Sequence, residues 1–103
     1  MGYKIENTPL EEQDLDGILS YIAENLGNKT AAVSFLDEVD ACYINLERMP
    51  FMYEQCRDPQ LRALGYRKAI IKNYVMIYRV DEDKKIVYIL RFFYGRRDYE
   101  KLI

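Results

Sequence analysis

The stretch Tyr74-Val75-Met76-Ile77-Tyr78-Arg79-Val80, Asp81-Glu82-Asp83-Lys84-Lys85, Ile86-Val87-Tyr88-Ile89-Leu90-Arg91-Phe92-Phe93 decides the fold class. Two runs rich in β-branched and aromatic residues flank five charged ones, which reads as a hairpin of two long strands. With all five charged residues in the turn, Val80 is expected to face Ile86. Side chains alternate along a strand, so one face then holds Val75, Ile77, Arg79, Val87, Ile89 and Arg91. The other holds Tyr74, Met76, Tyr78, Tyr88, Leu90 and Phe92. The second set is larger and uncharged, and it is the expected core. The first is an aliphatic strip with an arginine near each end, suited to an amphipathic segment of a partner.

Upstream, Tyr66-Arg67-Lys68-Ala69-Ile70-Ile71 reads as another strand, joined to Tyr74 by a Lys72-Asn73 turn. Residues 51–60 read as a loop punctuated by Pro50 and Pro59. Residues 30–49 carry Ala32, Phe35, Leu36, Val39, Cys42, Tyr43 and Leu46 at helical spacing, ending at Pro50. Before them, Thr8-Pro9-Leu10-Glu11 reads as a capped helix start, with Glu11 completing a capping box. Leu15, Ile18, Leu19, Ile22 and Leu26 follow, with Asp14, Asp16 and Glu24 on the wet side and Gly27 as the stop. Residues 3–7 alternate like a strand. The order is β-α-α-β-β-β in one domain spanning residues 1–103. It predicts an α+β fold with a helix hairpin on one face of a largely antiparallel four-stranded sheet.

Charge is divided along the chain. Residues 1–56 carry 3 Lys and Arg against 11 Asp and Glu; residues 57–103 carry 12 against 6. An acidic half beside a basic, aromatic half points to a partner that meets one half only. Arg62, Arg67, Lys68, Lys72, Arg96 and Arg97 gather in the sheet-forming half, with Tyr94 and Tyr99 flanking the last two. Guanidinium groups suit phosphate or carboxylate, and tyrosine rings can stack on bases.

The residue types also exclude chemistry. With no histidine, there is no Ser-His or Cys-His nucleophile pair, no imidazole acid–base catalyst and no His-rich metal site. Cys42 falls on a helix stripe and reads as core filler. Cys56, in a charged loop, is a candidate reactive thiol with no base beside it. No cofactor or metal is expected. The first residues lack the apolar run of a signal peptide and no segment approaches a membrane span, so a cytoplasmic protein without a membrane partner is expected.

These features together resemble the RelE/ParE superfamily of toxins from bacterial type II toxin–antitoxin systems. The likeness runs over Thr8-Pro9, Asp14-Leu15, Ile18 to Tyr21-Ile22, Ala31-Ala32, Phe35-Leu36, Leu46 and Pro50. It continues through Leu61-Arg62, Leu64, Tyr66-Arg67 and Tyr74 to Tyr78-Arg79-Val80, ending at Tyr94-Gly95-Arg96-Arg97-Asp98. The resemblance implies a toxin neutralised by a cognate antitoxin, with operator DNA bound only through that antitoxin, and a role in plasmid stabilisation and growth inhibition. It also implies one of two activities: ParE-like inhibition of DNA gyrase, or RelE-like cleavage of mRNA on the ribosome. A nuclease would be metal-independent and would use Lys68, Arg96, Arg97 and Tyr94. Under either activity Arg62, Arg67, Arg96, Arg97 and Tyr99 would meet the target or a phosphate. Val75, Ile77, Arg79, Ile89 and Arg91 would take the antitoxin. The residues lean toward the ParE-like activity: Tyr74 is followed by Val75 where the nucleases often carry arginine, and Tyr99 is displaced from the position of their terminal tyrosine. An inactive structural relative is the third alternative.

Overall fold

The computed structural model describes residues 2–95; Arg96, Arg97 and Tyr99 lie outside the described residues. The chain runs β1 (Lys4–Asn7), α1 (Pro9–Ser20), α2 (Lys29–Arg48), α3 (Pro59–Ala63), β2 (Arg67–Ile71), β3 (Tyr74–Asp81) and β4 (Ile86–Tyr94). The strands form one sheet in the order β1-β4-β3-β2. Both β2–β3 and β3–β4 are antiparallel, while β1 returns parallel to β4. The expected α+β architecture is present, with the sheet mixed at its β1 edge.

The helix hairpin covers one face. Phe35, Val39, Cys42 and Leu46 of α2 meet Ala69, Ile71, Met76, Tyr78, Val87, Ile89 and Phe92 of the sheet, all buried. A stripe of this kind contributes most of a helix's stability in a small domain. Tyr78 is fully buried, and its hydroxyl is satisfied by donating to the Pro50 carbonyl at 3.1 Å. The turn between the helices uses Gly27 at φ +62, and Asn28 caps α2 by accepting from the Ala31 amide at 3.0 Å.

Four expectations are corrected. The register of the long hairpin is shifted by one residue: Val80 faces Val87, and Asp81 faces Ile86. Asp81 extends β3 and leaves a four-residue turn, in which its carboxylate accepts the Lys84 amide at 3.1 Å and Lys85 takes φ +60. A one-residue slip moves side chains to the other face. Hence Val87 and Ile89 pack under the helices, and Tyr88 turns outward.

The second correction is a bulge. Tyr78 pairs with Ile89 but Ile77 with Arg91, so Leu90 is an extra residue opposite the Ile77–Tyr78 step. The bulge restores Phe92 to the helix side and places Phe93 on the other, where Leu90 also packs.

The third correction concerns the outer face. Val75 and Ile77 point away from the helix hairpin, as expected, but they are not open. Cys56, Leu61 and Phe93 join them in a second buried cluster, with Tyr66 and Leu90 packed against it. The cover is built by α3, which Asp58 caps by accepting from the Gln60 and Leu61 amides at 3.1 Å each. Pro59 occupies the first turn, where its missing N–H is harmless. Residues 51–60 thus end in a helix start, and Cys56 is fully buried, which does not suit a reactive thiol.

The fourth is the start of α1. Thr8 makes no side-chain cap; its hydroxyl donates across to the Ile89 carbonyl at 2.8 Å. Glu11 turns inward and is buried to 1% exposure. It accepts the Tyr43 hydroxyl at 2.7 Å, and the Asn7 amide, with its NH₂ turned inward, reaches both carboxylate oxygens at 3.2 Å. Burial raises the Glu11 pKa, and neighbouring Glu12, Asp14 and Asp16 add to that while the Tyr43 bond opposes it. Asp14, placed on the wet side from the sequence, is half-buried against β4.

Candidate partner-binding surface

Among the described residues the cations of the basic half stand on both faces of the sheet, and most of them have partners. Lys68 stands opposite Ile77 on the outer face and pairs with Glu54 at 3.5 Å. Lys72, at φ +54 in the two-residue β2–β3 turn, pairs with Glu38 of α2 at 2.9 Å. Arg67 faces the other way: it donates to the Tyr53 carbonyl at 2.7 Å and lies over the Phe51 ring at 4.9 Å. Arg91 is bound to Asp14. Arg79 lies 4.2 Å over the Tyr88 ring, and Arg62 is exposed on α3. Neither Arg62 nor Arg79 is ion-paired among the described residues.

Of the set expected to serve a nuclease, Lys68 and Tyr94 are described and stand apart, while Arg96 and Arg97 lie outside the described residues. Lys68 lies on the outer face at the Ile77 rung. Tyr94 pairs with Tyr74 at the far end of β3, and its ring meets the Tyr74 ring edge-on at 5.6 Å on the helix side. Three residues of strand, about 10 Å, and the thickness of the sheet separate them. Burial raises the Tyr74 pKa, with Tyr21 and Tyr94 adding to the shift. Among the described residues no three His, Cys, Asp or Glu side chains cluster as a metal site.

The set expected for the antitoxin is divided as well. Val75, Ile77 and Ile89 are buried, and Ile89 is on the helix side. Arg79 and Arg91 remain at the surface. Beside Arg91 lies an apolar hollow of about 360 Å³ lined by Thr8, Pro9, Leu10, Tyr66 and Leu90. Leu10 is 53% exposed at its rim. The sequence reading missed this hollow because the one-residue shift in register is what turns Leu90 outward, and alternation alone does not fix the register.

At the opposite end of the sheet, Tyr74 bridges core and surface. Its ring meets Phe35 edge-on at 5.2 Å and Tyr94 at 5.6 Å. Gly95 closes this end by donating its amide to the Asn73 carbonyl at 2.7 Å.

A family model describing the ParE toxin of type II toxin–antitoxin systems, parDE, matches residues 5–99. The chain belongs to the ParE toxin family. Its fold is shared with solved structures of two toxin–antitoxin systems. One is the RelBE2 complex of Mycobacterium tuberculosis, at 20% identity and TM-score 0.64, covering 91% of this chain and 99% of that one. The other is a chromosomal ParDE system of P. aeruginosa, at 18% identity and TM-score 0.66, covering 87% of this chain and 92% of that one. A comparison with curated protein sequences finds no match. The chain is therefore a type II toxin of the ParE family. No helix among the described residues is long and apolar enough to cross a membrane.

Proposed function

We propose that this ParE-family toxin arrests growth in the cytoplasm by binding a protein target, DNA gyrase being the reading favoured, and that a cognate antitoxin neutralises it. The observation that carries this over ribosome-dependent RNA cleavage is the distance between Lys68 and Tyr94. Phosphoryl-transfer catalysis by positive charge needs several donors aimed at one point. Here Lys68 faces Glu54 on one side of the sheet, while Tyr94 packs on Tyr74 at the other side and far end.

The antitoxin is proposed to occupy the hollow between Leu10, Tyr66 and Leu90, with Arg79 nearby supplying charge recognition. Apolar burial supplies affinity in such contacts, and exposed charge mainly sets on-rate and register. Val75 and Ile77 then serve the fold beneath that surface. Arg62, Arg96, Arg97 and Tyr99 are proposed target contacts, while Arg67 is held to Phe51 and Tyr53. Operator DNA would be met only through the antitoxin.

Two assays divide the readings: gyrase supercoiling with purified toxin, and translation in a purified system. Loss of supercoiling with intact mRNA is the expected result. Site-specific mRNA cuts on the ribosome, with supercoiling unaffected, would replace this reading by the nuclease one. A folded protein inactive in both and harmless on expression would leave only a structural relative.

A further inference from the structure

Among the described residues Glu11 is the charged side chain that is fully buried. It lies in the first turn of α1, directly after Thr8, Pro9 and Leu10, which line the apolar hollow beside Arg91. One turn of helix thus presents the exposed Leu10 at the rim of the hollow and Glu11 to the interior. Only Thr8 separates β1 from α1, so rim and acid move together.

No cation answers this carboxyl. α2 supplies the Tyr43 hydroxyl and β1 the Asn7 amide, both uncharged donors. Asp40 stands near Tyr43 on α2, and Glu12, Asp14 and Asp16 share α1 with Glu11. On β4, Arg91 is taken by Asp14. Among the described residues Glu11 enters no ion pair. A buried carboxyl among acids and neutral donors favours the neutral form, and the Glu11 pKa is raised accordingly, burial being the largest cause. Tyr43 stays a donor, because burial and the adjacent carboxyl raise its pKa as well.

Two arrangements of the turn therefore differ in proton affinity. With Glu11 inside, the proton is held at the raised value; with the turn released and Glu11 in water, at the ordinary one. Below the ordinary value both are protonated, and the inside arrangement is at its strongest. As pH climbs from the ordinary to the raised value, the released arrangement gains about tenfold per pH unit, and above the raised value the gain levels off.

We propose that Glu11 is a proton-dependent latch on the rim of this hollow: as the neutral acid it holds Thr8, Pro9 and Leu10 against the sheet, and on ionisation it releases them and opens the wall of the hollow. This regulates the site proposed for the antitoxin, and it rests on that reading only for what the hollow holds. Release parts the Thr8 hydroxyl from the Ile89 carbonyl and unwinds the turn that the Glu12 amide closes on the Thr8 carbonyl at 3.0 Å.

The test is amide hydrogen exchange of the isotope-labelled toxin across the titration of Glu11, with the Glu11 carboxyl carbon followed in the same samples. Protection at the Glu12 amide reports release of the rim, and protection at Met76, fully buried on β3, reports opening of the whole fold. Glu12 should be less protected than Met76 by about tenfold or more, and its protection should fall by about tenfold per pH unit until Glu11 is ionised, then level off. In Glu11→Gln the fall should vanish. Tyr43→Phe removes the bond that opposes the shift, so the levelling should move to higher pH. Equal protection at the two amides would mean that the rim opens only with the whole fold. That result, a profile unchanged in Glu11→Gln, or an unmoved levelling point in Tyr43→Phe would overturn the latch. Because the toxin is measured alone, the outcome decides the latch whether or not the hollow receives an antitoxin.

Discussion

Arg91 holds Asp14 through two contacts, Nε to Oδ2 at 2.7 Å and Nη2 to Oδ1 at 3.3 Å, and the same Oδ2 accepts the Phe92 amide at 3.0 Å. The strand bond that Phe92 lacks is thereby supplied. β1 pairs with β4 only as far as Ile89, so the edge beyond it would be bare. Thr8 at the start of α1 covers the Ile89 carbonyl, and Asp14 in the middle of the same helix covers the Phe92 amide. The ion pair is thus a clamp on an exposed sheet edge at the bulge.

Asp14→Ala should therefore cost more than Arg91→Ala. Removing the carboxylate leaves both a guanidinium and a half-buried amide unmatched, about 2–3 kcal/mol, against about 1 kcal/mol for the arginine. Urea unfolding of both single variants and the double variant checks the order. Equal losses would mean that the Phe92 bond contributes nothing.

Glu11 sets a pH dependence. Its folded pKa lies above the ordinary carboxylate value because of burial. The folded protein therefore holds this proton more tightly than the unfolded chain. The group's contribution is greatest below the ordinary pKa and declines as pH rises through it toward the raised value. Glu11→Gln keeps an acceptor for Tyr43 and removes the charge. The melting temperature of the wild type minus that of the variant should fall from acid to neutral pH. A difference that rises instead would contradict the burial argument.

The outer cluster makes α3 structural. Leu61→Ala removes a buried side chain over Ile77 and Phe93 and should cost about 2–4 kcal/mol. Ile77→Asp buries a charge without a partner and should leave no cooperative unfolding transition. Thermal unfolding followed by circular dichroism reads both. A folded Ile77→Asp variant would show that this face tolerates water.

Two glycines should respond oppositely to alanine. At Gly95 a Cβ would stand 2.9 Å from the Asn73 carbonyl oxygen, and backbone on both sides must shift. A loss of about 1–3 kcal/mol is expected. At Gly17 nothing is in the way, and alanine should stabilise α1 by about 1 kcal/mol. Paired melting curves test this contrast directly.

Arg96→Ala with Arg97→Ala should relieve growth arrest with stability changed by about 0.5 kcal/mol or less. Growth after induced expression, beside a melting curve of the purified variant, checks both parts. Full toxicity in the folded double variant would move the target surface away from these arginines.

Much of the fold was legible because it rests on local periodicity. The apolar stripes of α1 and α2, the stop at Gly27 and the β-rich runs of the last three strands are written in neighbouring residues. So was the helix-facing set on β3, Tyr74, Met76 and Tyr78. The Asp58-Pro59 pair that starts α3 was also present as a local signal, but five residues of helix are too few to show a period. The candidate site was less legible: the basic residues could be named, but not which of them are already neutralised.

The amino-acid sequence by itself determined the toxin family, the α+β element order and the two-part charge distribution, since each depends on residue type and spacing along the chain. Tertiary structure alone decided the hairpin register, the face on which Ile89 lies, the covering of Val75 and Ile77, and the pairing of Arg91 with Asp14. The physical reason is that a strand's alternation reports two faces without naming them. One extra residue at Leu90 exchanges those faces, and contacts between residues 14 and 91 form only when the sheet edge and the helix meet.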